Sequence, residues 1–494
     1  MPLANSTRAA RASLRATLCA CASLAALSGT AWADKGTQER SANTFHFRPS
    51  IGIEVNATDN VRRETTNKDR DVVAVPRLGL DMDAKTDDLD LFVNAGLVYH
   101  SFFENSSLDR FSGSLLAHAT LTAVPNLLFI DANAQISDEF LNIADVSATG
   151  LPNGAPQARI FNYQLSPYVK AVIFGEVDSL VRARVTAVRT DTYGLTIPTP
   201  TLGNSLAYQA AAVFGNGERG RVVEWRLSGD HTREERDGGR EFTSSDGLLG
   251  LTFHVTPRID LLARGGYEEL TDPGITPIRG AIWAGGALYK LGDASFVTGE
   301  YRHRFDRDSW FGQAELAMSS RLFVSANYEE RVESQQLRLG RSLTDLFNQQ
   351  ASIPPPPAPA PFSLDEDFVD QVFFARDAYL GARYVTPERS FALAAKLSRR
   401  EFEALATDDK TAGVTATYSE RFHTKLTLNL VGDYNARLDA PIGLIPVDRY
   451  TASSGLVYLL GETASARLQY TWSQTTGADT ITENLISASM AKSF

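Results

Sequence analysis

Charged side chains in this sequence recur at alternate positions inside apolar runs, a spacing that lines a wall rather than fills a pocket. Arg182, Arg184, Arg226, Arg264, Arg302, Arg304, Lys396 and Arg467 are placed this way, as are Glu224, Asp230, Glu268, Glu300, Glu315 and Glu329. The chemistry open to such a wall is electrostatic. A cationic track would guide an acidic solute such as a charged polysaccharide. Like charges on neighbouring strands repel, however, so a wall of mixed sign neutralises itself. Eight basic against six acidic residues favours neutralisation. Arg302-His303-Arg304 beside Glu300 reads as a cross-strand charge ladder.

Catalytic and metal-binding patterns are missing. No G-x-S-x-G, H-E-x-x-H, Walker or Rossmann motif occurs. The seven His run from His46 to His423 with no two at ligand spacing, so neither a metal nor a cofactor is expected. His118, assigned to the lipid face near Ser112 and Ser114, comes nearest to a Ser–His pair and reads as a His tolerated near an interface. Asp59-Asn60 would suit Ca²⁺ but reads better as a turn. The sequence is not expected to encode an enzyme. A formal charge of −11 without a basic cluster excludes a nucleic-acid partner.

The elements that must carry the charged wall are strands. Leu89, Leu91, Val93, Ala95, Leu97 and Tyr99 alternate with Asp90, Phe92, Asn94, Gly96 and Val98. Period two sends the two sets to opposite faces. Segments 128–136, 181–187 and 464–472 repeat the pattern, and 22 such segments fit between Phe45 and Phe494. Connections alternate between tight turns, such as 85–88 and 124–126, and long polar stretches: 58–70, 138–157, 190–204, 332–372 and 436–449. Apolar faces rich in Ala, Gly and Leu, with aromatics near strand ends, suit a lipid-facing wall with girdles. The expected fold is all-β: a transmembrane antiparallel up-and-down β-barrel of about 22 strands (range 18–22) with no plug domain. Unpaired backbone is intolerable in hydrocarbon, so Phe45–Val55 must pair with Asn484–Phe494.

Residues 1–33 read as a signal peptide: Arg8, Arg11 and Arg15, a short apolar core, then Ala31 and Ala33 flanking Trp32 at the cleavage site. Cleavage removes both Cys and takes the formal charge from −11 to −14. Segment 34–44 is then a short periplasmic lead, and 45–494 the barrel, with extracellular loop 332–372 as the longest connection. That loop holds an apolar stretch from Leu337 to Phe347 and a polyproline centre at 353–362; it is expected to fold over or into the lumen as a gate. Ile486, Met490 and Phe494 form an in-phase C-terminal assembly signal, which Lys492 interrupts. The expected partners are outer-membrane lipid and the barrel-assembly machinery, in the outer membrane of a Gram-negative bacterium.

Three stretches resemble a known group. Phe47-Arg48-Pro49-Ser50 leading to Thr58-Asp59-Asn60-Val61, Leu127-Leu128-Phe129-Ile130-Asp131-Ala132 and Tyr163-Gln164-Leu165-Ser166-Pro167-Tyr168 resemble the PEP-CTERM system-associated outer-membrane proteins, within the β-barrel porins. The resemblance implies association with exosortase and exopolysaccharide export, and hence exopolysaccharide or its export proteins as partners. It supplies no catalytic residues. Two functions remain open: a pore or export conduit, and a non-conducting scaffold whose surface loops bind polysaccharide or partner proteins.

Overall fold

The computed structural model describes residues 43–147, 150–193, 203–217, 222–292, 295–341, 369, 371–440 and 445–494. Ala31, Ala33, the lead 34–42 and the polyproline centre 353–362 lie outside the described residues. The strands are β1 Thr44–Thr58, β2 Asp71–Lys85, β3 Leu89–Phe102, β4 Arg110–Val124, β5 Leu128–Phe140, β6 Gln157–Ile173, β7 Val177–Tyr193, β8 Ser205–Gly215, β9 Val223–Arg236, β10 Arg240–Thr256 and β11 Ile259–Thr271. They continue as β12 Ile278–Gly292, β13 Ser295–Arg304, β14 Arg307–Ala317, β15 Leu322–Ser334, β16 Val372–Val385, β17 Arg389–Phe402, β18 Thr407–His423, β19 Leu426–Asp439, β20 Val447–Leu459, β21 Ala464–Thr476 and β22 Thr480–Ser493.

Each strand pairs antiparallel with its sequence neighbours, and β1 pairs with β22 from Ser50↔Ser493 to Thr58↔Leu485. The sheet is therefore a closed 22-stranded barrel with no edge at membrane depth, as backbone pairing in hydrocarbon requires. The amphipathic alternation is inverted relative to a soluble protein. Leu78, Leu97, Leu261 and Leu468 point outward and are 45–56% exposed, whereas Asn162, Glu300 and Asp409 are buried on the inner face. Tyr384 and Tyr458 lie outward beside tight turns, and Tyr99 and Phe111 meet with tilted rings at 4.6 Å toward the opposite end. Aromatics at both ends of an apolar band mark the two bilayer interfaces.

Loop length does not alternate strictly. The connections after β9, β13 and β21 are short turns at 237–239, 305–306 and 477–479, and that after β17 spans only 403–406, on the side that also carries the long loops. This is the extracellular side, opposite the ends where β1 begins and β22 stops.

At this extracellular end described parts of the connections turn inward. Buried apolar residues gather there in four clusters inside the barrel. One joins Val61, Val73, Val75, Phe102, Leu151 and Leu485; another joins Ala158, Ile160, Val188 and Leu339. Loops that bring their own apolar side chains gain by packing on the wall, so they fold inward and fill the space. The long loop is part of this: its first residues, 335–341, form a short helix.

Candidate functional site

The helix at 335–341 is the centre of the site. Ser334, the last residue of β15, accepts the Leu337 backbone N–H at 3.1 Å and so caps the helix start. Arg338 is held by charged neighbours on its own side of the barrel. One guanidinium nitrogen donates to Glu333 at 3.1 Å, another to Asp377 at 3.0 Å and Ser398 at 3.3 Å. Arg341 donates to Glu333 at 3.0 Å. Arg400 pairs with Asp409 and donates to Gln335 at 2.9 Å. Arg338, Gln335 and Arg400 are all nearly fully buried, so these charge-assisted bonds act without water screening.

The other end of this helix touches the far wall. Asn162 of β6 donates to the Leu339 carbonyl at 2.9 Å, and Leu339 packs among Ala158, Ile160 and Val188. Gly340 approaches β7 so closely that a Cβ would lie 2.9 Å from the Thr186 methyl carbon. β7 and β16 are nine strands apart in a ring of 22, so residues 335–341 cross the lumen as a strap.

The tips of β15 and β16 also pack against neighbouring strand ends and turns. Phe374 packs with Phe305, Phe242 and Leu270, while Arg307 reaches Glu401 at 3.0 Å. Above them the Thr276 backbone N–H donates to Glu403 at 3.3 Å, joining the connections after β11 and β17.

A second inward fold lies at the β1–β3 and β21–β22 side of this end. Arg63, in the left-handed region at φ 58°, extends from the connection after β1 across three elements. It donates to Glu483 at 3.0 Å, to the Ala144 carbonyl at 2.7 Å and to Thr475 at 2.8 Å. Ser147 also donates to Glu483, at 2.8 Å. Burial pushes the Asp145 carboxyl above its ordinary pKa, against the opposing pull of Arg63 and Arg437. Asp59 accepts both the backbone N–H and the side-chain amide of Asn484 at 2.7 Å, and Asn60 donates to the Thr482 carbonyl at 3.1 Å. Asp59 and Asn60 thus pin the β1–β22 seam. Among the described residues no group of acidic, His or Cys side chains could hold a metal.

Below the strap the inner wall carries the charged residues singled out from the sequence. Arg264 and Arg302 each meet Glu300 at 2.9 Å; Arg304 meets Glu268 at 3.0 Å and Asp246 at 3.2 Å. Arg182 pairs with Asp131 at 3.4 Å and lies 4.4 Å over the Tyr168 ring; Arg184 donates to Gln209 at 3.2 Å. Glu329 meets Arg331 at 2.5 Å and Glu224 meets His254 at 3.0 Å. Glu315 lies opposite Phe296, Arg226 opposite Gly250, and Lys396 opposite Tyr379. Arg467, opposite Val457, is exposed to the lumen. Asp246 and Asp131 supply further acidic partners, so the wall is more fully compensated than the eight-to-six balance of the sequence suggests.

His118 corrects the sequence reading. It faces the lumen, 2.6 Å from Asn133, and Ser112 and Ser114 share its face. Leu115 and Leu116 make both faces of β4 apolar at one level, which left the phase ambiguous. At the C-terminus, Ile486, Met490 and Phe494 point outward at 55–65% exposure. Lys492 shares that face, its ammonium 4.8 Å from the Phe494 ring. Sequence reasoning missed Arg63, Arg338, Asp377, Arg400 and Glu483, because the partners lie up to 420 residues apart and only an inward fold unites them.

No family model and no curated protein sequence matches the chain. Solved structures do. The siderophore receptor PirA from Acinetobacter baumannii matches at 7% identity and TM-score 0.50, covering 92% of this chain and 81% of that one. The ferric-catecholate import receptor Fiu from Escherichia coli K12 matches at 9% identity and TM-score 0.49, covering 90% and 81%. The FrpB iron transporter from Neisseria meningitidis matches at 8% and 0.48, covering 90% and 82%. The likeness is one of fold. This chain is an outer-membrane β-barrel of a Gram-negative bacterium. Outer-membrane transporter barrels of 22 strands have a plugged lumen, which corrects the expectation that a barrel of this size comes with no plug domain.

Proposed function

We propose that this barrel is a gated conduit of the outer membrane, serving an exopolysaccharide and PEP-CTERM export system, with the strap at 335–341 as its gate. The observation that carries the gating is the strap's asymmetry. Buried charged bonds from Arg338 and Arg400 anchor it to the near wall, while neutral hydrogen bonds, Asn162 to the Leu339 carbonyl and Gln336 to the Gly203 carbonyl, and the Leu339 contact hold it to the far wall. A segment anchored firmly at one side and lightly at the other can swing without unfolding the barrel. The link to exopolysaccharide rests on the three sequence stretches that resemble the PEP-CTERM-associated proteins.

Gene deletion in the native host tests the cargo. Secreted and cell-surface polysaccharide should fall and recover when the parent gene is restored. Unchanged polysaccharide would overturn the cargo assignment and favour a scaffold, whereas the gate is tested separately by conductance.

A further inference from the structure

The outer face of the barrel is not uniform. On β12–β14 the aromatic belt condenses toward the extracellular end: Trp283 lies 5.5 Å from Tyr301, which lies 4.9 Å from Trp310, and His303 stacks on Trp283 at 5.8 Å. Tyr267 on β11 and Tyr208 on β8 extend this belt, at 56% and 45% exposure. Two residues nearer the loops than Tyr267, the same outward face turns ionic. Glu269 stands opposite Arg279 at 2.7 Å on β11 and β12. Arg233 on β9 reaches Glu241 at 3.0 Å and Glu235 at 3.1 Å, and it pairs across to Tyr208.

We infer that this outward face of β8–β12 docks the phosphorylated headgroup of an outer-leaflet glycolipid, with Arg233 and Arg279 as the phosphate ligands. Its height fixes the occupant's depth. Aromatic rings settle at the headgroup level of a bilayer, so the groups just beyond them meet lipid headgroups rather than acyl chains. Arg233 and Arg279 are 50% and 61% exposed, so their present ion pairs are solvent-screened and exchange cheaply. A guanidinium has five donors in a planar fork that suits phosphate oxygens, and each uses only one or two on its carboxylate partners. Rings beside the cations offer sugar faces an apolar platform.

The test uses the full chain in phosphatidylethanolamine nanodiscs, titrated with bis-phosphorylated lipid A and followed by native mass spectrometry. The unmodified barrel should bind lipid A and bind its dephosphorylated form on the order of tenfold more weakly, an arm that needs no variant. R233S/R279S should lose affinity to a similar extent, R233K/R279K should keep most of it, and R389S, which breaks an outward pair beside a periplasmic turn, should change nothing. Equal binding of both lipid forms would assign retention to the apolar belt alone and overturn the proposal. So would lipid A binding undiminished in R233S/R279S, or a dimer mass that this variant abolishes, which would assign the face to a second copy.

Discussion

At the scale of single residues, the barrel separates two neighbours by their faces. Val93 points to lipid and Asn94, bonded to Asp81, to the lumen. Val93→Arg should cost about 2–4 kcal/mol in a urea titration of the vesicle-inserted protein. Asn94→Arg should cost well under half of that, and equal losses would mean that the faces are exchanged. Arg338 makes the opposite kind of contribution, inside. Arg338→Ala would leave Asp377 and Glu333 buried with one cation fewer, a loss of about 3–5 kcal/mol in the strap's docking. Hydrogen exchange should show it as faster exchange over 335–341 with the strand amides unchanged. Uniform acceleration would mean that Arg338 supports the barrel rather than the strap. Nothing in the sequence around Arg338 announces this role. Its carboxylate partner Asp377 lies 39 residues on, beyond the polyproline segment, and a guanidinium in a polar loop reads as solvated.

At the scale of elements, period-two alternation made the strands and their turns legible, because each strand must keep one face in lipid over its whole length. The sequence marked loop 332–372, through its apolar stretch, as one to fold inward, but it did not single out the connections after β1 and β5. Nothing in the sequence marks Val61 or Leu151 for burial, and only packing on the wall gives them meaning. Gly340 is a sharper case. Its value is the space a side chain would take from Thr186, a neighbour that no local pattern reveals. Gly340→Val should push the strap off β7 and raise conductance without lowering barrel stability. At the other end of the chain, Phe494 packs beside Lys492 on the outward face. Deleting Phe494 should reduce the yield of heat-modifiable protein, and Lys492→Tyr should not; unaltered insertion without Phe494 would remove it as an assembly signal.

At the scale of the molecule, closure should respond to pH. Burial in the inward fold raises the Asp145 pKa, so the folded loop holds a proton more tightly than the released one does. The stabilisation is complete below the ordinary carboxyl pKa and is lost as pH rises through the raised value. Lowering the pH into the carboxyl range should therefore favour closure and reduce conductance. Asp145→Asn should hold the loop in and flatten that dependence; a variant titrating as the parent does would place the sensor elsewhere. The 22-strand ring was legible as a count of alternating segments, whereas the ion pairs that hold its extracellular end were not, since they join segments that only closure brings together.

The central claim, that the strap gates the lumen, is tested most directly by unitary conductance in planar bilayers. The comparison sets the parent barrel against a variant in which 335–341 is replaced by a Gly-Ser segment of equal length. A gating strap predicts that the parent shows small or infrequent steps and the variant large, persistent ones, together with greater cellular sensitivity to bulky antibiotics. Identical conductance in the two, with the variant's barrel intact by heat-modifiable mobility, would contradict it.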